Sequence, residues 1–226
     1  MLHAVIFDFD GVITDSEILH FRAFNAVLGK HGFEITRHEY YRDYLGMTDV
    51  DCFKALIGEG RLAIDEPQIQ GLVQRKTKIF EQLALAEGRI IEGVREFLQM
   101  LSQSRVPTAI CSGALRAEIE LILDGAKLRS CFEVVVSAEE VKRGKPDPQG
   151  FLLALKKLNE RRVQPIAPGH CVVIEDSHWG LKAARAANMR TIAVTNTYEA
   201  DQLKEADKVV GRLSDLTMHD LAQLCS

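Results

Sequence analysis

Short apolar runs, each bounded by polar or turn-forming residues, recur along the chain. They cover 3–9, 106–112, 132–137, 170–176 and 190–196, with a weaker run at 208–211. Each is apolar on both faces, which is typical of parallel strands covered by helices on both sides. Helical patterns alternate with these runs at 113–126, 148–160 and 177–188, and shorter ones follow near 200–206 and 214–224. This alternation predicts an α/β fold with a Rossmann-like, doubly wound parallel sheet.

Residues 17–86 interrupt the alternation, because no part of this stretch has a strand pattern. An apolar helical stripe follows Ser16 and stops at Gly32, and further helical patterns cover 36–44, 49–57 and 65–86. The α/β pattern then resumes with a helix that leads into the second strand. We therefore predict a discontinuous Rossmann-like catalytic core, residues 1–15 and 89–226, with an all-helical cap domain inserted at 16–88.

Composition narrows the classes of partner. The formal net charge is −4 and the basic residues are scattered, which argues against a nucleic-acid surface. No apolar run approaches the roughly 18 residues of a membrane span, and no signal-peptide pattern is present. The five cysteines form no CxxC pair, which favours reduced cysteines in a cytoplasmic protein. Nothing in the sequence indicates an obligate protein partner.

Polar residues that can do chemistry follow the predicted strands. In a doubly wound sheet, ligands bind outside the carboxyl ends of the strands, so these residues are expected to converge there. They are Asp8 and Asp10 after the first strand, Ser112 and Gly113 after the second, Lys145 after the third, and Glu175 and Asp176 after the fourth. Asp8 and Asp10 project to the same side if the chain stays extended between them.

Several carboxylates in one place repel each other unless a cation lies among them. Hard oxygen ligands suit Mg²⁺, and Lys145 with the helix N-terminus near Ser112 would add donors for an anion. These groups together predict phosphoryl transfer. One carboxylate would attack phosphorus, and a second would protonate the leaving oxygen and later deprotonate the attacking water.

Four segments resemble the motifs of the haloacid dehalogenase superfamily, in the same order. They are "DFDGVITDS" at 8–16, "ICSGA" at 110–114, "KRGKPDP" at 142–148 and "VVIEDSHWGLKAARAANM" at 172–189. The resemblance implies that Asp8 is the nucleophile that becomes an aspartyl phosphate and that Asp10 is the general acid/base. It also implies that Ser112 and Lys145 hold the phosphoryl oxygens. By the same resemblance, Mg²⁺ would be bound by Asp8, the backbone carbonyl of Asp10 and Asp176, with Glu175 acting directly or through water.

The inserted segment resembles the small helical cap of the β-phosphoglucomutase-like branch. His20 coincides with a histidine of that branch, and Lys76 resembles a cap lysine that reaches substrate phosphate; for each, an ordinary structural role is the competing interpretation. Mutases carry a Gly-x-x-Arg segment where this chain has Gly46 and then Asp49. A carboxylate in place of an arginine reverses the local charge.

The sequence thus favours a Mg²⁺-dependent phosphatase acting on a small phosphate monoester, a phosphosugar-like metabolite. A β-phosphoglucomutase-type mutase is the alternative. A non-enzymatic homologue that serves as a regulator or binding module is a third and weaker hypothesis, because such proteins lose the nucleophile, the lysine or the metal-binding acid. All of these residues are present here.

Overall fold

A computed structural model describes residues 1–45, 47–160 and 162–225 of the chain. The structure divides into two compact units. One comprises Met1–Asp15 with Arg89–Ser226, and the other comprises Ser16–Gly88. We call the first the core unit and the second the helical unit.

A parallel sheet of six strands, counted over the described residues, forms the centre of the core unit. Its strands are β1 (Ala4–Phe7), β2 (Thr108–Cys111), β3 (Val134–Val136), β4 (Cys171–Glu175), β5 (Arg190–Val194) and β6 (Lys208–Val210). Their order is β3-β2-β1-β4-β5-β6, so the strand order reverses between β1 and β4. Such a reversal opens a crevice at the carboxyl edge of the sheet, where ligands of doubly wound folds bind. The predicted fold class is confirmed.

Four α-helices form the helical unit in the part of the chain that the structure describes. They are α1 (Glu17–Leu28), the short α2 (Arg37–Glu39), α3 (Asp49–Gly58) and α4 (Ile69–Glu87); a π-helical turn, Tyr40–Tyr44, continues α2. Local sequence signals set several boundaries. Thr36 and Glu39 form a capping box that starts α2, and Gly32 adopts a left-handed φ of 85° after α1. The unit has its own apolar core, which includes Phe24, Phe53 and Leu56.

Helices flank the sheet of the core unit. They are α5 (Val94–Gln103), α6 (Arg116–Ala126), α7 (Gln149–Asn159), α8 (His178–Ala186) and α9 (Met218–Leu224). Apolar residues of the sheet, such as Ile6 and Val173, pack with Phe151 of α7 and Ala183 of α8 in one buried cluster. This burial on both sheet faces explains why most strand positions are apolar.

One predicted helix is wrong. The segment near 200–206 forms consecutive turns, in which Leu203 donates its amide to the carbonyl of Ala200 and Ala206 donates to that of Leu203. Leu203 is fully buried beside Leu181 and Ala193, so packing rather than helical propensity determines this segment. Among the described residues, we find no helix with the length and hydrophobicity needed to traverse a bilayer.

Candidate active site

The candidate active site lies in the core unit, where β1 and β4 end side by side. Phe7 pairs with Ile174, and the amide of Asp8 continues this pairing by donating to the carbonyl of Ile174 at 2.9 Å. Asp8 therefore leaves the sheet next to the end of β4, which carries Glu175 and is followed by Asp176. One carboxylate oxygen from each of these three buried residues lies within 4.8 Å of the others.

Lys145 joins two of these acids. Its Nζ lies 2.6 Å from Oδ1 of Asp8 and 2.6 Å from Oε1 of Glu175. The loop that follows β3 delivers this lysine across the edge of the sheet, and its side chain is mostly buried. A single ammonium thus bridges a carboxylate at the end of β1 and another at the end of β4.

Glu175 is held at both carboxylate oxygens. Its Oε2 accepts hydrogen bonds from the Ser177 hydroxyl at 2.9 Å and from the amide of Asp176 at 3.1 Å. The Ser177 hydroxyl in turn accepts from the amide of Gly180, and this hydrogen bond caps the start of α8. A Cβ on Gly180 would lie 1.7 Å from Oε1 of Glu175. The absence of a side chain at Gly180 therefore provides the space that the carboxylate occupies.

Asp176 lies against two other segments. The Thr197 hydroxyl, in the loop after β5, donates to its Oδ2. Gly11, in the turn after β1, has a φ of 76°, and a Cβ there would lie 1.8 Å from the same oxygen. The side chain of Asn196 donates to the carbonyl of Gly11 at 2.7 Å. The turn after β1 and the loop after β5 therefore meet at Asp176.

Asp10, Ser112 and Gly113 lie at the ends of β1 and β2. The Ser112 hydroxyl oxygen accepts from the amide of Ala114 at 2.9 Å and lies 3.5 Å from Oδ2 of Asp10. Asp10 is more accessible than Asp8, and Gly113 is exposed at the start of the turn. The side chain of Asp10 is not a member of the three-carboxylate group. This arrangement separates the two aspartates into different surroundings, one among acids and a lysine, the other beside a hydroxyl.

The electrostatics of the site reflect its burial. Desolvation raises the pKa of Asp8 to about 7, in spite of Lys145, and the charges of Glu175 and Asp10 add to the rise. Burial likewise raises the pKa of Asp176 well above its ordinary value, with repulsion from Glu175 and Asp8 as further causes. Burial alone would lower the pKa of Lys145, but the two facing carboxylates outweigh it and the net shift is upward. Without a further cation, the site holds more negative charge than Lys145 can balance.

The donor set fits a Mg²⁺ ion. Three buried carboxylates offer hard oxygen ligands within a small space. Burial, and after it repulsion from neighbouring carboxylates, raises the pKa values of Asp8 and Asp176, and a divalent cation would offset both effects.

His20 and Lys76, the two cap residues singled out in the sequence, both lie in the helical unit and contact each other. Nζ of Lys76 is 2.5 Å from Nδ1 of His20 and 2.8 Å from Oδ1 of Asp49, and Lys76 is fully buried. The His20 ring stacks on Phe80 with centroids 4.0 Å apart. Burial and the Lys76 charge lower the pKa of His20 well below its usual range. In the segment where mutases carry Gly-x-x-Arg, Gly46 lies outside the described residues, and Asp49 is the first residue of α3.

Sequence reasoning missed two groups of contacts. Thr197 and Asn196 follow the fifth strand, and their position at a strand end was the one available signal. The pairing of Asp49 with Lys76 joins residues on different helices, α3 and α4, and no spacing rule connects them. Ser16 occupies the N-cap position of α1, but its side chain makes no capping hydrogen bond there.

Comparison with known proteins identifies the family. The model of the haloacid dehalogenase-like hydrolases matches residues 2–188. Hexitol phosphatase B of Escherichia coli is 31% identical over 223 residues, which cover 96% of each chain. The chloroplastic 5-amino-6-(5-phospho-D-ribitylamino)uracil phosphatase of Arabidopsis thaliana is 28% identical over 97% of this chain. The present chain spans 57% of that enzyme's length.

A solved structure supports the fold. The β-phosphoglucomutase of Clostridium difficile superposes with a TM-score of 0.82 over 100% of this chain and 97% of its own, at 23% identity. At that identity the likeness concerns the fold alone. Together with the family match, these similarities confirm the resemblance inferred from the four motifs, and the named relatives confirm the predicted enzyme class.

Proposed function

Because this chain belongs to the haloacid dehalogenase-like hydrolases, we propose that it is a Mg²⁺-dependent phosphatase of small phosphate monoesters, with phosphosugar-like metabolites as substrates. The observation that carries the proposal is the placement of Asp8. Its carboxylate lies at the strand-order reversal, paired with Lys145 and next to Glu175 and Asp176. An acid so placed can act as a nucleophile toward phosphorus while the neighbouring charges bind the phosphoryl group.

Asp8 and Asp176 would hold Mg²⁺ together with the backbone carbonyl of Asp10. When bound, the ion supplies Lewis-acid stabilisation of charge on the phosphoryl oxygens. Glu175 is already engaged by Lys145 and Ser177, so we assign it chiefly to orienting the lysine. Lys145 then contributes a fixed positive charge to the phosphoryl oxygens, and Ser112 with the exposed amides at Gly113 contributes hydrogen-bond donors.

The reaction divides between two aspartates. An Asp8 carboxylate oxygen attacks phosphorus, and the bond from phosphorus to the leaving oxygen breaks while the protonated Asp10 donates its proton to that oxygen. Asp8 then carries the phosphoryl group as an aspartyl phosphate. Asp10, now a carboxylate, takes a proton from the water that attacks phosphorus, which releases inorganic phosphate and restores Asp8. The different surroundings of the two acids support this division of roles.

The helical unit supports hydrolysis over the mutase alternative. Mutases of this branch are expected to grip the second phosphate of a sugar bisphosphate with an arginine, and this chain has Asp49 there. Asp49 is anionic and already forms an ion pair with Lys76. A second phosphate dianion at Asp49 would be repelled by its carboxylate, and the fully buried Lys76 already has its charge balanced by that residue.

Phosphate release from a panel of phosphorylated metabolites tests the proposal. The panel should begin with hexitol phosphates, since a relative is a hexitol phosphatase, and should include pentose and hexose phosphates. We expect Mg²⁺-dependent release that chelation abolishes. Absence of release from every member would contradict the phosphatase and favour the non-enzymatic homologue. Conversion of β-glucose 1-phosphate to glucose 6-phosphate, with a trace of the bisphosphate and faster than phosphate release, would instead identify a mutase.

A further inference from the structure

We propose that Thr197, in the loop after β5, is a positioning residue that orients the Asp176 carboxylate toward the divalent cation. The inference rests on the proposed function, because it assumes that Asp176 is a metal ligand. Neither the sequence motifs nor the family resemblance assigned a role to this loop.

The contact joins a buried acid to an exposed residue. Asp176 is 4% exposed, and the hydroxyl of the exposed Thr197 donates to its Oδ2. Glu175 and Asp8 both repel the Asp176 carboxylate. This repulsion disfavours the rotamer of Asp176 that faces them. A hydrogen bond to one oxygen resists rotation of the group and leaves the other oxygen for coordination. Partners of this kind commonly set the orientation of metal-binding carboxylates.

The loop that carries Thr197 is itself tied down. The amide of Thr195 donates to the carbonyl of Val210, which extends the pairing of β5 with β6. Asn196 then donates its side-chain amide to the carbonyl of Gly11 at 2.7 Å. A Cβ on Gly11 would lie 3.0 Å from Oγ1 of Thr197, so the close approach of the turn needs glycine there. The hydroxyl is therefore held in place by the same turn that carries Asp8 and Asp10 into the site.

Metal affinity should depend on this hydroxyl. Replacement by valine keeps the shape of the side chain and removes the donor, and the loss of such a partner typically weakens metal binding about 10- to 100-fold. We therefore expect Thr197→Val to raise the dissociation constant for Mg²⁺ about tenfold. Thr197→Ser retains the donor and should bind Mg²⁺ within about twofold of the parent protein, since the hydrogen bond is preserved.

A matched control is available at the opposite end of the same strand. The Thr191 hydroxyl also donates to a carboxylate, Oδ2 of Asp207, at 3.0 Å. Thr191→Val therefore loses the same kind of hydrogen bond, away from the carboxyl edge of the sheet. We expect it to lower thermal stability and to leave metal affinity unchanged.

The experiment measures binding of Mg²⁺ by calorimetry and of Mn²⁺ by electron paramagnetic resonance, without substrate, on the four proteins. Weaker binding in Thr197→Val alone, with rescue in Thr197→Ser, supports the inference. Equal affinity in Thr197→Val and the parent protein would overturn it, as would equal weakening in Thr191→Val. Failure of the parent protein to bind either ion would instead contradict the proposed metal-dependent function, so the two failures are distinguishable.

Discussion

The ammonium of Lys76, a residue with no exposed surface, lies 2.8 Å from Oδ1 of Asp49 within the helical unit. Two aromatic rings also lie near the ammonium, with Nζ 5.2 Å from the centroid of Phe24 and 5.3 Å from that of Phe80. A lysine buried in this way needs a counter-charge, because desolvation of an unpaired ammonium is costly. Asp49 supplies it from the first turn of α3.

We expect Asp49→Ala to destabilise the protein by about 2–4 kcal/mol, since it leaves a buried charge without its partner. Lys76→Met removes that charge, so the double variant should lose less stability than the sum of the two single variants. Urea unfolding followed by circular dichroism measures all four proteins. The control is Glu66→Ala, which breaks the exposed pair of Lys54 and Glu66 and should change stability by less than about 1 kcal/mol. Additive effects of Asp49→Ala and Lys76→Met would show that the pair is not coupled.

Replacement of the two aspartates of the first motif should impair different steps of the reaction. Asp8→Asn removes the nucleophile and should lower the rate of phosphate release at least about 10³-fold for every substrate. Asp10→Asn keeps the nucleophile but cannot donate a proton, so an activated ester such as 4-nitrophenyl phosphate should still release its good leaving group once. We expect a burst of nitrophenol of about one equivalent per enzyme, followed by slow turnover.

Asp15→Asn serves as the control for both, because it makes the same change on an exposed side chain of the same segment. Its activity should equal that of the parent protein. A burst in Asp8→Asn, or none in Asp10→Asn with unchanged binding, would reverse the assigned roles.

The fold, and the convergence of polar strand-end residues at one edge of the sheet, could be predicted from the sequence for one physical reason. Strands apolar on both faces occur in parallel sheets, and in a parallel sheet every carboxyl end lies at the same edge. Asp8 and Glu175 are 167 positions apart by their numbers, yet the pairing of Phe7 with Ile174 brings them to one place. The polar residues at strand ends could therefore be grouped before any contact was known.

Other features depend on contacts that no local pattern encodes. Thr197 lies among ordinary polar loop residues, and its role follows from the meeting of two loops at Asp176. The pairing of Asp49 with Lys76 depends on how α3 packs against α4. The segment near 200–206 has helix-forming residues, but a short isolated helix is marginal, and burial of Leu203 favours turns. In each case tertiary packing determines a conformation or contact that local sequence propensity does not specify.

Stability of the metal-free protein should fall as pH rises toward neutrality. The ordinary pKa of an aspartate is 3.8, and burial raises that of Asp8 to about 7 in the folded protein. Between these values the folded state keeps a proton that the unfolded state has lost, so the slope of the unfolding free energy against pH is negative. At about 1.4 kcal/mol per pKa unit, the contribution of Asp8 has an upper limit of about 4 kcal/mol.

Asp8→Asn does not titrate, so its stability relative to the parent protein should increase from about pH 5 to about pH 8 in the presence of a chelator. Urea unfolding across this range measures the difference. Saturating Mg²⁺ should reduce this stability difference, because it binds and stabilises the folded parent protein. The reduction should be largest at the upper end of the pH range. Parallel stability curves for the two proteins with chelator present would contradict the raised pKa of Asp8.

Replacement of glycine by alanine should have opposite effects on stability in two helices. Gly180 and Gly125 lie in α8 and α6, where alanine is favoured over glycine by about 1 kcal/mol from helix propensity alone. A Cβ on Gly125 meets no atom within 4 Å, whereas one on Gly180 would lie 1.7 Å from Oε1 of Glu175. Gly125→Ala should therefore stabilise the protein, while Gly180→Ala should destabilise it by displacing a carboxylate that holds Lys145. Because that displacement reaches the site, phosphate release should fall at least about tenfold in Gly180→Ala alone, a loss of about 1.4 kcal/mol in transition-state stabilisation. Thermal melts and phosphate release on both variants provide the test, and full activity with raised stability in Gly180→Ala would show that Glu175 does not need its present position.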